Sequence, residues 1–360
     1  MKIGKVPENV LKRSVLRQIK TKREEVLSGA GVGEDCAIFS LSDHVSSMMT
    51  CIQEAAVAVS GAEGAGEKNR GCLTVTMGRL IDRCANNLAA GGAGIMSVMI
   101  ALYLPEETEE ATVKALMAEA EEKCKNLKIQ IAGGQTRISN AVRMPVAVVA
   151  GYGVPFGQQA ESQTGENAAE AYRGKRDCRR KPKPGQDVVI SKWIGLEGTA
   201  ILAEKNREKL LARYPAYLVD EAACFDRFLS VIPEAATAVK SGVCTMHDAS
   251  EGGIFGTLWE LAERAGVGLT IDLKKLPLRQ ETVEVCECCN VNPYELLSGG
   301  CLVMTSGDGP GLVAALEAEG IPAVIVGKVT DSNDRIMINE DEVRYMDRPG
   351  QDEIYRFLSE

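Results

Sequence analysis

The chain has 360 residues, 41 Lys and Arg against 50 Asp and Glu, a formal net charge of −9, and 45% apolar residues. That apolar share excludes a disordered or low-complexity chain, and the acidic balance argues against nucleic acid as the main partner. The longest apolar stretches, SVMIALYL at 97–104 and VAVVA at 146–150, are far too short to span a bilayer. The N-terminus carries no signal-peptide core, so a cytoplasmic protein without a membrane partner is expected.

At roughly 100–200 residues per domain, the length predicts two domains. Pro7 opens a helix with Leu11, Val15 and Ile19 on one face. Strands follow near 36–40 and 45–51. A helix over about 75–90 puts Leu80, Cys84 and Leu88 on one stripe, and a strand covers 95–104. The acids of ETEE (107–110) suit the first turn of a helix reaching about 127, where the helix dipole favours negative charge. Strands at 128–132 and 144–152 close a first domain, 1–156.

Residues 157–184 form a polar insert, in which 173–183 carry seven basic residues and one acid. A solvated linker accounts for this composition, and a docking site for an acidic partner or RNA is the sharper alternative. Only Tyr172 there offers a ring for base stacking. The second domain, 185–345, opens with a strand at 187–194. Helical patterns run from GLEGT to about 240, then come a strand at 243–247, a helix at 252–265 and a strand at 267–273. A cysteine-bearing helix, a strand at 301–306, a helix at 310–319 and a strand at 323–330 complete it. Residues 346–360 form a tail. Mixed sheets covered by helices, an α/β (α+β) two-domain architecture, follow from this alternation.

Twelve Cys are scattered through the chain with only two His. Cys286, Cys288 and Cys289 share one helix, where three thiols could bind a soft metal. No second ligand pair accompanies them, so reduced, buried structural residues are the expected reading.

Four glycine-rich junctions stand out: GAGVGEDCAIF (29–39), IAGGQTR (131–137), GLEGT (195–199) and HDASEGGIFG (247–256). Glycine lets a backbone approach an anion closely, and a helix N-terminus presents free N–H groups. Phosphate or carboxylate binding is therefore expected at the last two, although glycine at such junctions also serves plain turns. His247 beside Asp248 reads either as an oriented acid/base pair or as a structural pair.

GVGEDCAIF, ANNLAAGGA (85–93), IAGGQTR, KWIGLEGTAILA, MHDASEGGIFGTLWELAERAGVGLTIDL and NPYELLSGG occur in this order. Together they resemble the aminoimidazole-ribonucleotide-synthetase-related superfamily, and within it the HypE type of hydrogenase-maturation carbamoyl dehydratases. The resemblance implies an N-terminal domain that forms a homodimer through its sheet and a C-terminal α/β domain packed against it. It also implies ATP and Mg²⁺ in a cleft between glycine loops and acidic residues. Carried onto this chain, the ligand contacts fall on Gly33, Glu34, Asp35, Cys51, Asn86, Asn87, Gly133, Gly134, Gln135, Thr136, Arg137, Gly252 and Gly253. Asp35 is the metal candidate, and His247, Asp248 and Glu251 are the catalytic candidates.

The departures weigh against ordinary metal-dependent chemistry. Cys51 and Asn87 stand where relatives carry Asp, Gln135 stands where they commonly have an acid or His and Arg137 where they have Glu, and no carrier cysteine follows Cys301. Mg²⁺ prefers hard, charged oxygen ligands, so Mg²⁺ binding is doubtful. The expectation is an atypical protein binding ATP or another phosphate-bearing small molecule, with Arg137 taking the place of the metal. The alternative is a catalytically inactive dimeric scaffold or regulator.

Overall fold

A computed structural model describes residues 8, 26–28, 32–33, 37–39, 48–59, 72–156, 181–243 and 245–359. The helix expected after Pro7 and most of the basic insert lie outside the described residues, as do Glu34 and Asp35.

The first half is a mixed sheet. Its order is β1 (Val26–Ser28), β2 (Ala37–Phe39), β3 (Met48–Val57), β7 (Val146–Pro155), β5 (Ala93–Leu104) and β6 (Gln130–Ile138), with β4 (Thr74–Val75) beside β3. β5 and β6 are parallel neighbours joined by helix α2 (Glu110–Leu127), because a parallel pair needs a crossover. Helix α1 (Met77–Ala90) starts at Thr76, whose hydroxyl accepts from Arg79 N at 3.2 Å. Strand β5 alternates cleanly. Val98, Ile100, Leu102 and Leu104 turn inward, while Met99 and Tyr103 face outward.

The second sheet runs β14 (Glu342–Tyr345), β13 (Arg335–Asn339), β10 (Gly268–Asp272), β12 (Ala323–Thr330), β8 (Asp187–Ser191), β11 (Leu302–Ser306) and β9 (Thr245–Asp248). Its central strands are buried on both faces, which is why DVVIS and LVMTS read as unbroken apolar runs. Val188, Ile190 and Val303 pack with α7 (Gly253–Ala265). Val189, Leu302 and Met304 pack with α6 (Ile232–Lys240) and α9 (Gly309–Ala318).

Helices α3 (Leu196–Lys205), α4 (Arg207–Leu211), α5 (Ala216–Ala223) and α8 (Gln280–Cys289) fill the side facing the first half. One core holds Leu80 and Cys84 of the first half together with Ile201, Val219, Cys286, Leu296 and Ile354 of the second. The three clustered cysteines therefore sit in shared core, and burial pushes the Cys286 thiol up to about 12 and the Cys289 thiol to about 11.

Three expectations shift. The strand expected at 128–132 continues to Ile138, so IAGGQTR is the strand itself and not a loop after it. The strand expected at 187–194 ends at Ser191, where Lys192 adopts a positive φ. Residues 335–345 form a hairpin and 353–359 a helix, α10, neither of which the periodicity announced.

Candidate functional site

The two halves meet along α1. Arg79, Arg83 and Asn86 follow an i, i+4, i+7 spacing and so share a helix face. An amphipathic helix ordinarily turns its polar face to water, yet Arg79 and Asn86 are only 3% and 1% exposed. Each reaches a group of the second half. Arg79 donates to Asp226 at 2.8 Å and to Glu204 at 2.7 Å. Burial works against its charge, but those two carboxylates hold its pKa above the usual value. Asn86 donates to Leu229 O at 2.7 Å and accepts from Val231 N at 2.9 Å.

Arg83 meets the buried Glu197 of the GLEGT junction, with Nε at 2.8 Å and Nη2 at 2.7 Å. Only the Nε contact has hydrogen-bond geometry. The guanidinium thus keeps donor capacity in the seam.

Next to this pair lies the fourth glycine junction. Strand β9 ends in His247 and Asp248, both 4% exposed. His247 Nε2 lies 2.9 Å from Glu260 Oε2 of α7. Gly252 and Gly253 then turn with φ of 89° and 66° into α7. A Cβ on Gly253 would stand 2.4 Å from Tyr294 O, so only glycine lets the helix start beneath the 292–300 loop. Tyr355 OH donates to Glu251 Oε2 at 3.4 Å.

Asp352, 2% exposed, accepts from Gly252 N at 2.7 Å, Leu297 N at 3.2 Å and Ile354 N at 2.9 Å. Burial outweighs these bonds and pushes its carboxyl up to about 7; Glu251 nearby adds to the rise. Burial and Glu251 likewise raise Tyr355, which also feels Arg83. Arg83, Glu251, Tyr355 and Asp352 therefore form one electrostatic neighbourhood.

The other expected residues distribute as follows. Gly33 lies against α7, since a Cβ there would stand 3.0 Å from Glu260 O and 3.3 Å from the Arg264 side chain. Cys51 faces into the core, where its thiol donates to Cys84 O at 3.2 Å with the two sulfurs 3.4 Å apart. Asn87 is half-buried on α1. Gly133, Gly134, Gln135, Thr136 and Arg137 lie exposed on β6. Gln135 pairs with Ala101 and Arg137 with Tyr103, on the outward face.

Cys51 is on the opposite face, three strand spacings of about 4.8 Å away. The structure thus gathers His247, Asp248, Glu251, Gly252 and Gly253, sets Gly33 against the backbone of α7 at Glu260, and does not bring Gln135 or Arg137 to Cys51. Among the described residues, no three His, Cys, Asp or Glu gather as a metal site. A thiol held against a second thiol in a dry core does not suit Mg²⁺.

Arg83, Glu197, Tyr355 and Asp352 were not singled out from sequence. The two arginines four apart in MGRLIDRCANNLAA, a helix whose residues are mostly buried, were the available signal, since a charge on a buried helix calls for a partner. Asp352 and Tyr355 lie in a tail whose docking leaves no periodic mark.

With this geometry in place, known proteins supply the family. The models for AIR synthase related proteins match residues 33–154 as the N-terminal domain and 183–339 as the C-terminal domain. The chain belongs to that family. A carbamoyl dehydratase HypE of Rhodobacter capsulatus is 28% identical over 250 residues, covering 68% of this chain and 66% of that protein. A putative hydrogenase expression/formation protein of Methanocaldococcus jannaschii is 25% identical over 63% of this chain and 61% of its own length. The matched stretches thus span less than two thirds of these relatives.

Among solved structures, a hydrogenase maturation protein HypE in complex with ATP superposes with a TM-score of 0.66 at 15% identity, covering 96% of each chain. HypE from a HypE–HypF complex gives 0.65 at 20% identity over 88% of this chain and 94% of that one. AaThiL complexed with AMPPCP and TMP gives 0.61 at 18%, over 87% and 89%. At these identities the structural likeness shows the fold.

Proposed function

We propose that the chain binds ATP or a related phosphate-bearing ligand at the seam, against the Gly252–Gly253 turn, with Arg83 as the cation that faces the phosphates. One observation carries this reading. A half-buried arginine with unused donor capacity and the start of α7, whose Gly252 amide is held by Asp352, face one neighbourhood between the two halves. Backbone N–H groups at a helix start favour anions, and guanidinium suits phosphate oxygens geometrically. The HypE complex with ATP and the ThiL complex with AMPPCP support the same ligand class.

His247, held by Glu260, and Glu251, held by Tyr355, are the groups able to move protons beside such a ligand. Asn86, whose amide is used at both ends, holds the halves together and is not proposed as a ligand contact. Arg137 lies on the outward face of β6, away from the seam, and does not take the place of a metal there. With Cys51 in the core, the proposed binding depends little on Mg²⁺. Calorimetric titration of ATP with and without Mg²⁺ tests this: binding of similar strength in both is expected, and no binding in either removes the reading.

The outer face of the first sheet supports a homodimer. Ile52 (61% exposed), Met99 and Tyr103 leave an apolar surface in water on that face. Pairing through that face would bury β6, and with it Gln135 and Arg137. This is also the observation that favours the second reading, a dimeric scaffold or regulator. Of the basic run at 173–183, proposed as a docking site for a protein partner, only residues 181–183 are described.

A further inference from the structure

The segment 346–359 covers the loop proposed to take an anion. Of the three N–H groups that Asp352 accepts from, only that of Ile354 belongs to its own helix. Capping α10 explains that bond. The other two cross to the start of α7 at Gly252 and to the 292–300 loop at Leu297. Glu353 adds a second carboxylate to this loop, accepting from Asn292 N at 2.8 Å. Tyr355 closes over Glu251, and Ile354 is fully buried in the shared core.

The connector to this cap is built differently. Residues 347–350, Asp-Arg-Pro-Gly, are exposed and have no regular structure, and a Cβ on Gly350 would meet nothing within 4 Å. A fixed, buried carboxylate thus follows an exposed connector without regular structure.

We propose that Asp352 is a built-in competitor for the site: its carboxylate holds the Gly252 and Leu297 amides, and a phosphate-bearing ligand must displace it to bind. The proposal rests on the seam being the ligand site. An amide hydrogen can serve the carboxylate or a phosphate oxygen at full strength, and not both. Ligand binding is therefore weakened by the fraction of molecules in which Asp352 is seated. Ile354, seated in the core, serves as the anchor, and the Asp352 end is what lifts.

Equilibrium titration of ATP and of inorganic tripolyphosphate into the wild-type chain and Asp352→Ala tests this. Asp352→Ala is expected to bind both about tenfold more tightly. Wild-type binding with an equal or weaker Asp352→Ala overturns the competitor while leaving the seam as the site. No binding by either chain overturns the seam reading, and the competitor with it. Hydrogen exchange on the wild-type chain gives a readout that needs no variant to fold. Amides 350–355 should exchange faster when tripolyphosphate is bound, and unchanged or slower exchange there contradicts displacement.

Discussion

Replacing Asn86 with Ala is the sharpest test of how the two halves are joined. The side chain is 1% exposed and its amide spans Leu229 O and Val231 N at 2.7 and 2.9 Å. Both partners sit in residues that are themselves buried, 2% and 0% exposed, so water cannot replace the lost bonds. Leaving one buried main-chain group unsatisfied costs about 1–3 kcal/mol, so two cost roughly 4 kcal/mol. Urea unfolding followed by circular dichroism should show that loss as a lower midpoint with an unchanged slope. Nucleotide affinity, measured on the folded fraction, should hold within about twofold, since a structural clamp does not touch ligand. A stability loss below about 1 kcal/mol, or a large loss of affinity in a stable variant, would refute the clamp and return Asn86 to the ligand contacts.

Cys51→Asp should not create a metal site. A carboxylate placed beside Cys84 enters dry core, so thermal unfolding should show a loss of several kcal/mol that Mg²⁺ does not restore. Stability should also depend on Asp352. Its folded pKa is raised to about 7 by burial, so its contribution is fully present below its unfolded value near 4 and is lost as pH rises through about 7. Urea midpoints between pH 4 and 8 should therefore fall less with rising pH in Asp352→Asn than in the wild type; parallel curves would contradict the assigned shift. Ile52→Arg should leave the fold intact and shift sedimentation from dimer toward monomer, whereas a wild-type chain that sediments as a monomer would remove the proposed interface.

Much of the architecture was legible in the sequence because its signals were local. The 3.6-residue stripe of Leu80, Cys84 and Leu88 marked α1, and the doubly buried strands announced themselves as apolar runs. The HDASEGG junction was legible as a helix start because paired glycines stand directly before an apolar helical pattern, and Gly253 shows why no side chain fits there. What stayed hidden depended on long-range pairing. IAGGQTR reads as a loop by composition, yet its ladder to β5 extends the strand through both glycines. Arg137 and Cys51 look equally placed in a motif comparison, but strand order and the alternation of faces set them apart. Arg83 and Glu197 are 114 residues apart, and Asp352 and Gly252 are 100 apart, so only the folded chain joins them.

The central claim is that phosphate binds beside Arg83 in the seam. Comparing ATP binding by the wild type with binding by Arg83→Met carried together with Glu197→Gln tests it most directly, because the paired change leaves no buried carboxylate without its partner. Weakening of tenfold or more in a folded double variant is predicted. Equal affinity in the two chains would place the ligand elsewhere and contradict the account.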